Sequence, residues 1–150
     1  MFEVLVYMFE HYIETDIRPD QRTLARELFA AGFDQEDING AFDWFSALEE
    51  MTSHTEGGGH GQSTRVYAEA ELKKISAESL SFMMFLEQAK VLDPAQRELV
   101  IDRAMALKQS EVGIDETRWI VLMALWNQGK ANDYLFVEDA VFGETPPQLH

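Results

Sequence analysis

Two segments that are apolar around almost their whole circumference restrict the possible folds more than any other feature. The first covers residues 2–14, FEVLVYMFEHYIE, and the second covers residues 116–128, ETRWIVLMALWNQ. A helix of this kind is normally buried between two layers, and a small domain has one core in which to bury it. We therefore predict that these are the two most buried helices, that they pack against each other, and that Phe9 and Trp119 are core residues.

The rest of the first 50 residues predicts two more helices. Pro19-Asp20 marks a helix start, Leu24, Leu28 and Phe29 supply an inward face, and a glycine ends the helix. Asp34 is expected to cap the next helix, with Asp37 reaching back toward the cap. Residues 1–50 are thus predicted to form an acidic three-helix unit that is similar to a helix-turn-helix.

The remaining chain predicts an all-α fold with at most a short β element. Residues 51–64, MTSHTEGGGHGQST, are typical of a flexible glycine-rich loop, and residues 64–68, TRVYA, alternate like a strand that pairs near the end of the third helix. Residues 65–130 predict a helical unit, with helix starts at Asp93-Pro94 and at Asp115 and an end at Gly129. Residues 131–150 predict a helical turn or two and a frayed tail. Together these segments indicate a single compact domain.

The turn at Gly32-Phe33 has a structural and a functional interpretation. Glycine permits a left-handed turn, and the phenylalanine can plug a three-helix core, which favours a structural role for both residues. A related turn occurs in small three-helix modules that bind proteins, so a binding loop is the alternative.

The distribution of charge argues against nucleic-acid binding by this unit. The net charge is −15, and residues 1–50 carry 12 acidic side chains against 3 arginines, a balance of −9. A DNA-reading helix needs basic or amide side chains near its N-terminus, whereas this one presents Asp34, Glu36 and Asp37. Basic candidates occur only later, at Arg65, Lys73, Lys74, Lys90, Arg97, Arg103 and Lys108. The negative electrostatic field of residues 1–50 favours a protein partner with a basic surface, although acidic side chains also maintain solubility.

One aromatic residue in the acidic unit suggests where such a partner binds. Trp44 follows Asp43 on the third helix, and an exposed tryptophan rimmed by acids is a common interface anchor. We predict that Glu36, Asp37, Asp43 and Trp44 form the partner-binding surface.

The ordered segments resemble the bacterial Smg family, a group of small proteins with a domain of unknown function. The resemblance rests on MFEVLVYMFEHYI, GFDQEDINGAFDWF, RVYAEAELKKIS, FLEQAKVLDPAQRELVIDRAMAL and DETRWIVLMALWNQ. It implies no established reaction, cofactor or catalytic residue. The family's genes often lie near one for a DNA-processing protein, which implies an alternative function as a nucleic-acid-linked regulator.

No stretch of the sequence displays catalytic, metal-binding or cofactor chemistry. The chain has no cysteine, and His54 and His60 flank Glu56 only across flexible glycines, so a solvated loop is favoured over a metal site. His11 lies beside two glutamates without a nucleophile. The acidic N-terminus and the short apolar runs predict neither a secretory signal nor a membrane span. We expect a cytoplasmic protein that is not an enzyme, with no catalytic residue, cofactor or metal; a site assembled from scattered carboxylates and histidines is the open alternative.

Overall fold

A computed structural model describes residues 1–15, 20–55, 66–129 and 131–142, and these residues form eight helices. The fold is all-α, as the sequence predicts. The chain divides into two compact units, Met1–Ala47 and Leu48–His150. The helices are α1 (Phe2–Thr15), α2 (Gln21–Ala30), α3 (Gln35–Thr55), α4 (Glu69–Lys74), α5 (Ala77–Gln88), α6 (Pro94–Met105), α7 (Ile114–Asn127) and α8 (Ala131–Phe142).

The first unit has an apolar interior to which α1 contributes more than one face. Among residues 2–10 of α1, whose side chains are described, the buried ones are Phe2, Val4, Leu5, Val6, Met8 and Phe9. Tyr7 lies at the edge of this interior, and its ring meets the half-buried ring of Phe33 edge-on, with centroids 5.6 Å apart. Phe33 therefore packs against α1 directly after the turn that ends α2.

The turn between α2 and α3 is a Schellman motif. Gly32 adopts a φ of +99°, its N–H donates to the carbonyl of Phe29 at 3.1 Å, and the N–H of Phe33 donates to that of Leu28 at 3.2 Å. The expectation that Phe29 faces inward is wrong. Leu24 and Leu28, four residues apart, define the buried face of α2, and the next residue projects about 100° away from it.

The boundary between α3 and the glycine-rich loop lies later than predicted. Residues 51–55 are helical because Thr52 continues the buried face of α3, and its hydroxyl donates to the carbonyl of Leu48 at 2.7 Å. Residues 56–65, which hold the remainder of the predicted loop and the start of the predicted strand, lie outside the described residues.

The described end of the predicted strand, residues 66–68, is neither helix nor strand. Val66 is exposed, so its side chain gains nothing from pairing on a half-buried surface. Within the described ranges, the one isolated β contact is a parallel bridge between Ile75 and Val112. It joins the end of α4 to the segment before α7.

The second unit is built around α7, which packs against α5, α6 and α8. The side chains of residues 117–125, including Trp119, are all buried. The prediction that Asp115 caps this helix is wrong. The cap is Gly113, whose N–H donates to Oε2 of Glu116 at 3.0 Å, and Asp115 lies in the first turn instead.

The C-terminal helix is longer than the turn or two that the sequence predicts. α8 spans 12 residues and Tyr134 on it is fully buried, while the tail that follows, residues 143–150, lies outside the described residues. The packing of α1 against α7 stays a prediction.

Candidate functional site

Three of the predicted partner-binding residues lie on the surface of the first unit. Glu36 and Asp43 are exposed and seven residues apart, so they share one face of α3. Asp37 is half-exposed, and its Oδ1 lies 3.5 Å from the Met1 amino nitrogen rather than over the helix cap. The 21 residues of α3 contain no lysine or arginine.

Trp44 does not belong to this surface. Its side chain is only 3% exposed, which overturns the expectation of an exposed anchor rimmed by acids. The spacing explains the burial, because Trp44 follows Ala41 by three residues and precedes Leu48 by four, and both of these neighbours are buried. The neighbouring Asp43 is exposed because adjacent positions of a helix point about 100° apart, which places it outside the buried face of α3.

An exposed aromatic side chain does occur nearby, at Phe29. This residue is 65% exposed and lies in an open depression of about 340 Å³. The depression lies at the junction of α2 and α3, where Ala25 and Ala30 supply apolar walls and Arg26 and Gln35 supply polar ones. We call Phe29, its depression and the exposed acids Glu36 and Asp43 of α3 the α2–α3 surface. The sequence could have indicated the exposure of Phe29, because this residue falls outside the four-residue spacing of Leu24 and Leu28.

The second unit holds a buried ionic cluster that the sequence analysis missed. Arg118 of α7 donates from Nε to Oε1 of Glu138 on α8 at 2.8 Å, and its Nη1 lies 3.5 Å from Oδ1 of Asp115. The hydroxyl of Tyr134 donates to the backbone carbonyl of Arg118 at 3.3 Å. Burial, reinforced by the charge of Glu138, raises the pKa of the Tyr134 hydroxyl far above its ordinary value. The cluster fastens α8 to α7 and keeps its tyrosine protonated.

Several basic side chains of the second unit are engaged in contacts within the protein. Arg97 is buried and pairs with Glu87 and Glu98, each at 3.0 Å. Two more contacts involve Lys73, which pairs with Glu69 at 3.2 Å, and Arg103, which pairs with Asp102 at 2.7 Å.

Lys74 holds the end of α6. Its Nζ donates to the carbonyl of Met105 at 2.8 Å and also to that of Leu107, where α6 leaves unpaired carbonyls. The N–H of Val112 donates to the carbonyl of Lys74 at 2.7 Å, so the same residue also begins the β-bridge contact. Its amine is therefore committed to a structural role.

The histidines considered as candidate ligands are not described. His60, Glu56 and the side chains of His11 and His54 lie outside the described residues. Among the side chains that are described, no three of the types His, Asp and Glu come together as metal ligands would. No helix in the described ranges combines the length and apolarity needed to cross a membrane.

Comparison with known proteins identifies the family. A family model described as a protein of unknown function, DUF494, matches residues 1–150. The chain belongs to this family. A protein Smg homolog of Methylobacillus flagellatus is 73% identical over the full length of both chains. Others are 42% identical in Alkalilimnicola ehrlichii and 41% in Stenotrophomonas maltophilia, each covering all of this chain and 98% of the relative. No solved structure matches the chain.

Proposed function

We propose that this member of the Smg family is a non-enzymatic adaptor that binds a protein with a basic surface through the α2–α3 surface. The observation that carries the proposal is the exposure of Phe29 in an open depression of the unit that also exposes Glu36 and Asp43. Leaving an aromatic ring in water costs hydrophobic free energy that a partner could recover. A side chain of this type is the usual anchor of a protein interface.

The exposed acids of α3 specify the chemistry of the partner. Glu36 and Asp43 lie on one exposed face of α3, and the balance of residues 1–50 is −9. A surface with this field steers basic proteins toward it and repels the phosphates of nucleic acids. The partner should therefore present an apolar side chain to Phe29 with lysine or arginine on the side that faces α3.

Arg26 adds a specific constraint to this picture. It is the one basic side chain among the residues that line the depression, and it lies on α2, whereas the acids lie on α3. A partner group beside Arg26 is best satisfied as a carboxylate or a backbone carbonyl. The partner should therefore place a hydrogen-bond acceptor beside α2 and hydrogen-bond donors beside α3.

Quantitative co-purification tests the proposal. The parent protein and the variants Phe29→Ser and Glu36→Gln/Asp43→Asn are used as baits in a lysate of the native host at low salt. Leu72→Ser, an exposed change on α4, is the matched control. We expect one set of proteins to be enriched by the parent and the control and lost from both α2–α3 variants. The purified partner should then bind the parent directly with the same pattern.

Two results would contradict the adaptor function. Equal enrichment by all baits would show that the captured proteins do not use this surface. Binding of duplex DNA or tRNA below micromolar concentration, in a salt-sensitive manner, would instead favour the nucleic-acid-linked regulator.

A further inference from the structure

The outward face of α2 carries two arginines together with the exposed phenylalanine. Successive positions of a helix are about 100° apart, so Arg22 and Phe29 point within roughly 20° of each other, and Arg26 points within roughly 60° of both. All three side chains are exposed, whereas Leu24 and Leu28 define the buried face of the same helix. We call Arg22, Arg26 and Phe29 the α2 outward face.

The depression around Phe29 joins the aromatic ring to one of these arginines. It has a volume of about 340 Å³ and is lined by Ala25, Arg26, Phe29, Ala30 and Gln35. The side-chain amide of Gln35 donates to Oδ1 of Asn39 at 3.0 Å, which holds the α3 wall of the depression. Apolar groups and a guanidinium group therefore lie on one continuous surface.

The shape of this depression favours a side chain of another protein over a small molecule. Sites for small molecules are concave and enclose most of the ligand surface. This depression is open, and 65% of the Phe29 side chain is exposed. A side chain that is held by a folded partner can cover the ring without being enclosed, because the partner itself excludes water from above.

The two arginines are not committed to contacts within the part of the chain that the structure describes. Neither Arg22 nor Arg26 forms an ion pair or a hydrogen bond through its side chain there, in contrast to the buried arginines of the second unit. The one carboxylate of α2, Glu27, points roughly 160° away from Phe29. Because a guanidinium group binds a carboxylate through two parallel hydrogen bonds, the α2 outward face suits a carboxylate beside an apolar group.

The acidity of the surrounding unit limits the charge that such a ligand can carry. Residues 1–50 have a balance of −9, and a nucleic acid brings one negative charge about every 1.7 Å along its axis, so repulsion would act on each phosphate. One carboxylate in an otherwise neutral or basic segment gains the contact with the arginines and avoids most of that repulsion. The charges therefore favour a protein segment with a single acidic side chain.

We infer that the α2 outward face binds a partner helix that carries one glutamate or aspartate within one or two helical turns of an apolar anchor residue. The anchor covers Phe29, and the carboxylate lies between the guanidinium groups of Arg26 and Arg22, which are about 4.5 and 10.5 Å from Phe29 along the helix axis. The inference rests on the proposed function, because it specifies which segment of the basic partner enters the α2–α3 surface.

A designed helix tests the contact between the carboxylate and the arginines. The probe is a peptide of about 18 residues with two leucines one turn apart, a glutamate one turn further on the same face, and lysines on the other face. Its matched control has glutamine in place of the glutamate. Methyl NMR of the full chain with ¹³C-labelled alanine locates binding, because Ala25 and Ala30 line the depression whereas Ala41 is buried in the same unit.

We expect the glutamate peptide to shift the methyl signals of Ala25 and Ala30 and to leave that of Ala41 nearly fixed. The glutamine peptide should bind the parent about fivefold more weakly than the glutamate peptide. In Arg22→Gln/Arg26→Gln the two peptides should bind equally, because the partner of the carboxylate is gone. Lys73→Gln, an exposed change in the second unit, is the matched control and should keep the fivefold ratio.

Four results would overturn the inference. The first is that the glutamate peptide shifts neither Ala25 nor Ala30, and the second is a Kd ratio that Arg22→Gln/Arg26→Gln leaves unchanged. The third is a larger shift of both signals with a single-stranded oligonucleotide, which would identify the arginines as a phosphate site. The fourth is a self-associating parent protein whose dimer is abolished by Phe29→Ser, because a second copy would then cover the surface.

Failure of this inference is distinguishable from failure of the adaptor function. A lysate partner that is lost from the Phe29→Ser bait but is retained by Arg22→Gln/Arg26→Gln would overturn only the inference, because the surface would still bind a protein. The absence of any partner that depends on Phe29 would contradict the adaptor function, whatever the peptide ratio.

Discussion

The two units of this acidic chain differ in whether they bury charged side chains. Every buried side chain described for Met1–Ala47 is apolar, so that unit keeps its charges on the outside. Leu48–His150 instead buries two arginines, Arg97 and Arg118, together with Glu138 and several neutral polar groups. Both arginines are paired with carboxylates, so the interior of the second unit contains ion pairs. The comparison teaches that one unit is held by apolar packing and the other by apolar packing together with buried ion pairs.

The largest expected effect tests whether the second unit depends on its buried charges. Arg118→Met leaves Glu138 buried without its cation and should lower the free energy of unfolding by about 3–5 kcal/mol. Arg118→Met/Glu138→Leu removes both charges and should recover most of that loss. Lys73→Met breaks an exposed pair and should cost no more than about 1 kcal/mol.

Urea unfolding of the four proteins measures these differences. If the double variant is no more stable than Arg118→Met, charge burial is not what makes the single change costly. The second unit would then depend on the shape of the arginine rather than on its pairing.

A change of similar size tests whether the first unit depends on apolar packing. Trp44→Ala should lower the free energy of unfolding by about 3–5 kcal/mol because it leaves a cavity in the interior. Phe29→Ala, on the exposed side of α2, should change it by only about 0.5 kcal/mol. Thermal unfolding followed by circular dichroism separates the two variants. Similar melting temperatures for both would place Trp44 on the surface.

Stability at alkaline pH tests the buried ionic cluster that joins α7 and α8. The folded pKa of Tyr134 is raised above its ordinary value of 10.0, chiefly by burial, so the folded state keeps a proton that the unfolded chain releases. The protonated hydroxyl contributes fully to stability below pH 10.0. As the pH rises above 10.0, that contribution to the free energy of unfolding falls by about 1.4 kcal/mol per pH unit.

Comparison with Tyr134→Phe isolates this effect, because the other tyrosines titrate in both proteins. The stability difference between parent and variant should be constant between about pH 7 and 9 and fall between about pH 10 and 11. Urea midpoints across that range provide the measurement. A difference that stays flat to pH 11 would show that the hydroxyl reaches solvent.

The smallest effect compares two turns of the same type. Gly32 ends α2 with a φ of +99°, and Lys90 occupies the equivalent position after α5 with a φ of +62°. A β-carbon built on Gly32 meets no atom within 4 Å, so Gly32→Ala should cost only the conformational strain, about 1 kcal/mol. Lys90→Gly should stabilise the protein by about the same amount. Chemical denaturation measures both, and a destabilising Lys90→Gly would mean that the lysine side chain compensates for its strain.

These turns also show how far sequence reasoning reaches. Gly32 and Gly129 were readable as helix ends because glycine is the residue that favours a left-handed conformation. The same reasoning identified Asp93-Pro94 as a helix start, where the Asp93 carboxylate accepts from the Gln96 N–H at 2.7 Å. It could not find the turn at Lys90, because lysine carries no signal for that conformation.

Features that depend on distant pairs could not be predicted. Arg118 and Glu138 are 20 residues apart, and nothing local indicates that α8 returns to α7 with a carboxylate facing inward. The wrong predictions for the burial of Trp44 and Phe29 are different, because both positions could have been assigned from helical spacing. Hydrophobic type alone favoured burial for Phe29, and neighbouring acids alone favoured exposure for Trp44, whereas the angle around the helix determined both.

The contacts of Lys74 make two adjacent amines chemically unequal. Lys73 is largely exposed, whereas the Nζ of Lys74 is held by the two carbonyls at the end of α6. In a brief treatment with an amine-acylating reagent, Lys73 should therefore react first, and Lys74 only when that end of the second unit opens. Because trypsin does not cleave after an acylated lysine, the tryptic peptides that end at or span these two positions give the ratio of their acylation. That ratio measures local opening without a mutation or an unfolding agent.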